Sequence, residues 1–204
     1  MYIIGITGLS CSGKTTLSQK LEKQLGPECL RLSMDDYYKE LTPEQYQVLH
    51  DDDAVINFDT PEQIDFELLR SNLDDIKNNN PTEIPHFDIG TCKITSRTPI
   101  AANTYKYIIL EGVFIFSDPS VANLCNLKIW IETSEYICAL RRFIKFTCDI
   151  KGYSHDYVYN QCVKFVIPGQ ERFIKPLKSC CDFFINGEKN DINYVDMIVK
   201  YIAT

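Results

Sequence analysis

Residues 8–15 read GLSCSGKT and match the phosphate-binding pattern GxxxxGK[ST] at every fixed position. A strand-like apolar run at 2–7 precedes them and a helix-like segment at 14–25 follows, which is the setting that this pattern requires. Backbone N–H groups of such a loop can turn inward around phosphate oxygens, while Lys14 adds a positive charge and the Thr15 hydroxyl can bind Mg²⁺. The stretch therefore predicts a nucleotide phosphate as the first ligand.

The composition favours one globular domain that spans residues 1–204. With 204 residues, 45% of them hydrophobic, the chain can bury one substantial core. A net charge of −7 and a pI near 5.0 argue against a nucleic-acid partner or an anionic membrane surface. No uncharged apolar run is long enough to span a membrane, and the apolar start has no basic leader. We therefore expect a soluble, cytoplasmic protein.

The nine cysteines are odd in number, scattered, and free of any CxxC spacing, which argues against a disulfide framework and against a zinc knuckle. We interpret them as reduced thiols. The three histidines show no paired ligand spacing, so a transition-metal site has few ligands available. The metal to expect is Mg²⁺ carried by a nucleotide.

Short apolar runs alternate with helical patterns along the chain. The strand-like runs are 2–7, 29–33, 107–110, 127–131 and 182–185, and the helical patterns are 14–25, 61–78, 134–145, 154–166 and 191–202. This alternation predicts an α/β fold with a mostly parallel central sheet between two layers of helices. Thr60 and Gln63 have the spacing of a capping box, which predicts a helix that begins at Pro61.

Residues 79–104 interrupt the alternation. Prolines, a glycine and three successive asparagines surround two strand-like pieces at 83–87 and 93–95, which predicts a β-hairpin excursion from the core.

Three carboxylates follow predicted strands. Asp35 and Asp36 come after the second strand and Glu111 after the third, where the carboxyl ends of parallel strands meet at the ligand-binding edge. A carboxylate one strand away from a phosphate loop can hold Mg²⁺ or accept the proton of an attacking hydroxyl, whereas either aspartate alone could belong to a solvated acidic turn. No NKxD motif and no DxxG after the third strand are present, which leaves the small kinases among phosphate-loop proteins.

A basic cluster follows the fourth predicted strand. Arg141, Arg142, Lys145 and Lys151 precede Gly152 and predict a helical lid at about 141–160 that excludes water from a phosphoryl-transfer site. The alternative is a solvated helix face.

The order and spacing of several motifs resemble the uridine kinase (uridine-cytidine kinase) family, within the phosphoribulokinase and uridine kinase group. The matching stretches are GLSCSGKTT at 8–16, SMDDYY at 33–38, NFDTP at 57–61, IPHFD at 84–88, ILEGV at 109–113, ALRR at 139–142, and the segment from Gln161 through VIPGQERFIKP to CCDFFI. The resemblance covers nearly the whole chain and implies a P-loop NTPase fold that uses ATP and Mg²⁺.

The resemblance also implies roles for particular residues. The residues implied to bind ATP are Gly8, Ser10, Cys11, Ser12, Gly13, Lys14, Thr15 and Thr16. Asp35 is implied as the catalytic carboxylate beside an acceptor 5′-hydroxyl, and Thr15, Glu111 and Asp35 as residues near Mg²⁺.

On the acceptor side, the resemblance implies that Asp59 binds the ribose hydroxyls and that Tyr38 and Gln161 line the nucleoside pocket. The basic residues that it places over the phosphates are Arg142, Lys145 and Lys151, and Lys14, Arg142 and Lys145 are the cations expected to assist the transfer. The family also suggests a homo-oligomer, tetramer or dimer.

The chain departs from the family pattern at six positions, four of which are implied to contact substrate: Phe87, Cys92, Lys151 and Tyr153. Phe87 stands where tyrosine is usual, and Cys92 stands where a base-reading histidine is usual. In the lid, Lys145 and Phe146 replace an Arg-Asp pair, and the RGR motif becomes Lys151, Gly152 and Tyr153, so that bidentate guanidinium contacts to phosphate are lost.

The sequence therefore predicts a kinase that transfers the γ-phosphoryl group of Mg·ATP to the 5′-hydroxyl of uridine or cytidine. The departures leave open a different acceptor, such as nicotinamide riboside. They also leave open a nucleotide-binding regulatory protein without catalysis, although Lys14, Thr15, Asp35 and Glu111 are all intact.

Overall fold

The computed structural model describes residues 1–48, 57–102, 105–149, 154–189 and 193–203. Seven strands lie within these residues: β1 (Tyr2–Gly8), β2 (Cys29–Ser33), β3 (Thr82–Asp88), β4 (Lys93–Ile100), β5 (Tyr107–Glu111), β6 (Leu127–Glu132) and β7 (Phe183–Asn186). Five of them form one parallel sheet in the spatial order β2-β5-β1-β6-β7. The central position of β1 follows from its sequence, since every residue of this strand after Tyr2 is buried, as expected for a strand covered on both faces.

Helices cover both faces of the sheet. The α-helices of the described chain are α1 (Lys14–Leu25), α2 (Pro43–Val48), α3 (Phe66–Lys77), α4 (Pro119–Ala122), α5 (Glu135–Ile144), α6 (His155–Gln161), α7 (Ile167–Gly169) and α8 (Asn193–Ile202). Turns of π-helix at Lys145–Asp149, Cys162–Val166 and Gln170–Ile174 extend α5, α6 and α7. No helix among the described residues is long and apolar enough to cross a membrane.

Two hydrophobic cores, one on each face of the sheet, give the molecule three layers. Ile4 of β1 packs in the core that contains Leu21 of α1 and Ile198 of α8. The neighbouring Ile3 points to the opposite face and packs in the core that contains Leu73 of α3. The alternation of side chains along a strand causes this division. The predicted α/β fold with a parallel sheet is confirmed.

The predicted hairpin is also confirmed. Strands β3 and β4 pair in antiparallel fashion as a separate two-stranded sheet. The Glu40 carboxylate accepts a hydrogen bond from the Ile94 N–H at 2.8 Å, and His86 lies 3.5 Å from the Asp36 carboxylate. These contacts hold the hairpin against the segment that follows β2.

The helix predicted from Pro61 begins later, at Phe66. The predicted capping residue Thr60 makes no side-chain capping bond, and the Asp65 carboxylate caps α3 instead. A 3₁₀ turn at Pro61–Gln63 precedes α3, and Ile64, which has extended backbone, separates the turn from the helix. The N–H of Asp65 donates to the backbone oxygen of Tyr37 at 2.8 Å, which holds the chain at this break. The prediction from the local capping pattern was therefore wrong about the start of the α-helix, because such a pattern contains no information about a partner far away in sequence.

A buried chain of hydrogen bonds joins three elements below the site. The Tyr37 hydroxyl donates to Asn72 Oδ1 at 3.0 Å, and Asn72 Nδ2 donates to Thr82 Oγ1 at 2.7 Å. Tyr37 is 1% exposed and Asn72 is 3% exposed, so water cannot replace a lost partner.

We expect Asn72→Ala to lower the free energy of unfolding by roughly 1–3 kcal/mol, because it leaves the buried Tyr37 hydroxyl without an acceptor. Urea denaturation measures the change. Adding Tyr37→Phe to Asn72→Ala should recover part of the loss, since it removes the unpaired hydroxyl. A double variant less stable than Asn72→Ala would contradict this explanation.

Candidate active site

The phosphate loop connects β1 to α1 and depends on two glycines. Gly8 has φ 149° and Gly13 has φ 110°, values that side-chain-bearing residues rarely adopt. A Cβ on Gly8 would also lie 2.8 Å from the backbone oxygen of Ile131, so the close approach of β6 excludes any side chain there. Gly13 precedes α1 without a side-chain cap, which leaves the N–H groups of the first helical turn available to an anion.

A side chain just after β6 and one on α5 hold the loop carbonyls. Thr133 Oγ1 donates to the Ser12 oxygen at 2.8 Å, and the Arg141 guanidinium donates to the Cys11 oxygen at 3.4 Å and to the Gly187 oxygen at 3.2 Å. Arg141 belongs to the predicted basic cluster, and the structure places it against the loop. These contacts fix the loop conformation before any ligand binds.

Lys14 lies inside the loop. Its Nζ donates to the Gly8 oxygen at 3.1 Å and to the Leu9 oxygen at 2.8 Å, and the residue is 8% exposed. Burial lowers the pKa of Lys14, whereas the carboxylates of Glu111 and Asp35 oppose that shift. The ammonium group is therefore held within the loop by two acceptors and two nearby negative charges.

Thr15 and Glu111 form a second polar pair beside the loop. Thr15 Oγ1 donates to Glu111 Oε1 at 2.9 Å. Burial raises the pKa of Glu111 and Asp35 raises it further, while Lys14, Thr15 and Arg31 oppose the shift. A hydroxyl and a carboxylate at the start of a phosphate-binding helix are a donor set that suits Mg²⁺ together with phosphate oxygens and water.

The described residues contain no group of three or more His, Cys, Asp or Glu side chains that could hold a metal ion by themselves. Mg²⁺ in kinases is usually bound through only one or two carboxylates plus substrate phosphates. The Thr15 and Glu111 pair fits this role.

The two aspartates after β2 lie in different surroundings. Asp35 lines the main cavity with the phosphate loop, and it influences the pKa values of Lys14, Glu111 and Asp59. Asp36 lies against His86 of the hairpin and lines a smaller pocket. The structure therefore distinguishes two neighbours that the sequence motif alone does not.

Asp59 and Arg142 line the same cavity as the phosphate loop. Arg142 Nη1 donates to Ser10 Oγ at 2.9 Å, and its Nη2 lies 4.0 Å from Asp59 Oδ2. Burial raises the pKa of Asp59, and the positive charge of Arg142 opposes this shift. The Arg142 guanidinium also lies over the Phe146 ring, 4.7 Å from its centroid. Arg142 thus links α5 to Ser10 of the phosphate loop and lies beside Asp59.

Aromatic side chains surround the region between Asp35 and Asp59. The Tyr38 ring lies 5.9 Å from Phe58 and 5.6 Å from Phe87, measured between centroids. The Tyr38 hydroxyl donates to the Phe58 oxygen at 3.3 Å. Phe58 was not among the predicted site residues, although its position beside Asp59 in the NFDTP motif was an available signal.

One cavity of about 780 Å³ collects most of the predicted site residues. Those that line it are Ser10, Cys11, Gly13, Lys14, Thr15, Thr16, Asp35, Tyr38, Asp59, Phe87, Glu111, Arg142 and Lys145. Gly8 and Ser12 shape the loop from behind and do not line the cavity. Lys151 and Tyr153 lie outside the described residues.

Two residues that were predicted to contact the substrate do not line this cavity. Cys92 is 4% exposed at the end of the hairpin, and its thiol donates to the Ile89 oxygen at 3.4 Å. Gln161 Nε2 donates to the Tyr157 hydroxyl at 3.2 Å on α6. Neither lines the cavity, whereas Ile89, which was not predicted, does.

The far end of the cavity was missed by the sequence reasoning. It includes Lys20 on α1, the loop residues from Asn186 to Lys189, and Tyr194 on α8. A Cβ on Gly187 would lie 2.3 Å from the Ser12 oxygen, which shows how closely this loop approaches the phosphate loop. No motif marks these residues, because only the packing of β7 beside β6 brings them to the site.

A phosphate loop at the carboxyl end of the central strand of a parallel sheet is the architecture of the P-loop NTPase class, and solved kinases share this fold. D-glycerate 3-kinase from Cryptococcus neoformans aligns with a TM-score of 0.62 and 15% identity, over 94% of this chain and 88% of that one. Phosphoribulokinase from Rhodobacter spheroides aligns with a TM-score of 0.61 and 17% identity, over 89% of this chain and 68% of that one. These likenesses concern the fold.

Sequence comparison is more specific. Residues 3–193 match the model of the Phosphoribulokinase / Uridine kinase family, and the chain belongs to this family. A uridine kinase of Borrelia garinii is 35% identical over 190 residues, 93% of this chain and 88% of that protein. A uridine kinase of Staphylococcus haemolyticus is 33% identical over 99% of this chain and 95% of that protein. Uridine kinase-like protein 5 of Arabidopsis thaliana is 32% identical, and the chain spans only 43% of its length.

Proposed function

We propose that this chain is a ribonucleoside kinase that transfers the γ-phosphoryl group of ATP to the 5′-hydroxyl of uridine or cytidine, giving UMP or CMP. The observation that carries the proposal is that Asp35 and Asp59 share one cavity with the phosphate loop. The site for the phosphoryl donor and the site for the acceptor are therefore parts of one cavity. The names of the bacterial relatives, both uridine kinases, support the choice of acceptor.

On the donor side, the N–H groups of the loop and the Lys14 ammonium group hold the phosphates of ATP. Thr15 and Glu111 are the residues that would hold Mg²⁺, which supplies stabilisation of negative charge on the phosphate oxygens when bound. Arg142, fixed by Ser10, lies where it can offset charge on the group that moves.

On the acceptor side, the Asp35 carboxylate orients the attacking hydroxyl and accepts its proton. Asp59 accepts hydrogen bonds from the ribose hydroxyls. The aromatic group of Tyr38, Phe58 and Phe87 packs against the base. The α5 helix with its π-helical extension closes over the phosphates and excludes water, which would otherwise compete as a nucleophile.

The test is ADP release with Mg·ATP and a panel of uridine, cytidine, adenosine, guanosine and nicotinamide riboside. We expect uridine or cytidine to give the highest kcat/KM. If ATP binds but no nucleoside stimulates ADP release, the chain is a nucleotide-binding regulator and the proposal is wrong.

A different ribonucleoside acceptor is the second candidate, and one observation favours it. The hairpin presents Phe87 and Ile89 to the cavity, while Cys92 is turned into the hairpin and cannot read a base. Among the described residues, the part of the hairpin that lines the cavity is mainly apolar. Preference for nicotinamide riboside in the same panel would favour this candidate and retain the kinase mechanism.

We expect Asp59→Asn to raise the KM for uridine by about 10- to 100-fold, because hydrogen bonds to a charged group contribute roughly 1.5–3 kcal/mol. The KM for 2′-deoxyuridine should rise less, since this substrate lacks one of the hydroxyls. Steady-state kinetics with both nucleosides measures the difference. The control is Asp74→Asn. It changes an exposed carboxylate that pairs with Arg70 on α3 and should leave both KM values unchanged. Equal effects of Asp59→Asn on the two nucleosides would contradict the ribose contact.

A further inference from the structure

Arg31 connects the outer edge of the sheet to Glu111. In the parallel pairing of β2 with β5, Arg31 is the register partner of Ile109, two residues before Glu111. Residues two apart in a strand point to the same face, so Arg31 and Glu111 both lie on the face that packs against α1. The predicted site did not include Arg31, because no motif marks it.

The Arg31 guanidinium lies between two carboxylates. Its Nε donates to Glu22 Oε2 on α1 at 3.1 Å, and its Nη1 lies 3.7 Å from Glu111 Oε1. The same Oε1 atom accepts the hydrogen bond from Thr15. A planar guanidinium can address two carboxylates at once in a fixed geometry, which a lysine ammonium on a flexible stem cannot do.

This arrangement combines one positive charge with two negative charges. The Glu111 side chain is only 5% exposed, so its negative charge needs a partner in the protein. Arg31 provides one, and Glu22 on its outer side offsets the positive charge that Arg31 brings near the phosphate loop. Arg31 can therefore orient the Glu111 carboxylate without adding a full net positive charge beside a cation.

We propose that Arg31 is a positioning residue that, anchored by Glu22, holds the Glu111 carboxylate in the orientation that binds the divalent cation of the nucleotide. The inference rests on the proposed use of Mg·ATP. Arg31 does not line the cavity and acts only through Glu111.

The experiment measures ATP binding by calorimetry in the absence of nucleoside, once with Mg²⁺ and once with EDTA. The quantity of interest is the gain in ATP affinity that Mg²⁺ gives. We expect Arg31→Met to reduce this gain by about tenfold or more, the usual effect of removing a residue that orients a metal ligand. ATP affinity in EDTA should not change. Arg31→Lys should recover part of the gain, because it keeps the charge.

Two further variants complete the design. Glu22→Gln leaves Arg31 in place and keeps an amide acceptor for it, but removes the compensating negative charge and so weakens the anchor; it should lower the Mg²⁺-dependent gain less than Arg31→Met does. This exposed position also keeps the test possible if Arg31→Met does not fold. Lys106→Met breaks the exposed pair with Glu28, remote from the cavity, and should leave the gain unchanged.

Any of three results for Arg31→Met would overturn the inference. The variant could keep the wild-type gain, bind Mg·ATP more tightly than the wild type, or lose ATP affinity in EDTA by the same factor as in Mg²⁺. A wild-type protein whose ATP binding does not respond to Mg²⁺ would instead contradict the proposed function itself. The two failures are therefore distinguishable.

Discussion

Replacing Asp35 by asparagine should lower kcat by about 10²- to 10⁴-fold, the range expected for loss of a general base. The amide keeps the size of the side chain but cannot accept the proton of the attacking hydroxyl. Asp35 lies near enough to raise the pKa values of both Glu111 and Asp59, which places it between the donor and acceptor sides of the cavity. ATP affinity should change little, because the phosphate loop is untouched.

Asp36→Asn is the matched control. The two aspartates are adjacent, yet Asp36 faces His86 and does not line the main cavity. ADP release gives kcat for both variants, and calorimetry gives their ATP affinity. Near-normal turnover of Asp35→Asn, or an equal loss in both variants, would contradict the assigned role.

Replacing Lys14 by methionine should lower kcat/KM by about 10²- to 10³-fold, as expected when a fixed electrostatic contact to the reacting group is removed. Methionine has a similar length but brings no charge. The substitution also removes the donor to the Gly8 and Leu9 oxygens, so the loop loses an internal support. We expect both ATP affinity and turnover to fall, whereas Asp35→Asn affects turnover alone.

Lys23→Met on the same helix controls for loss of a lysine. Lys23 is exposed and does not line the cavity, so its removal should leave kinetics unchanged. Urea denaturation of both variants separates an effect on the site from an effect on the fold. Wild-type ATP affinity in Lys14→Met would show that this residue does not hold the phosphates.

The parts of the site that local sequence predicts are those whose geometry is local. The phosphate loop needs glycine at positions with positive φ, and both Gly8 and Gly13 occupy such positions. The strands of the sheet are mainly apolar runs. The central β1 is buried after Tyr2, whereas the edge strands β2 and β7 are only partly buried, and all five predicted ranges agree with the structure to within one residue at each end. The helix predicted from Pro61 is a 3₁₀ turn at Pro61–Gln63 followed by a break, and the α-helix begins at Phe66, because a backbone bond between Asp65 and Tyr37 overrides the local capping pattern.

The sequence by itself determined the class of fold, the loop that holds phosphate, and the candidate carboxylates, because these depend on residue types at short, fixed spacings. The tertiary structure alone decided which residues meet. The pairing of β2 with β5 brings Arg31 to Glu111, and the packing of α5 brings Arg142 to Asp59. It also turned Cys92 away from the cavity. Such contacts join positions tens of residues apart, and their geometry follows from strand order and helix packing, which no local spacing encodes.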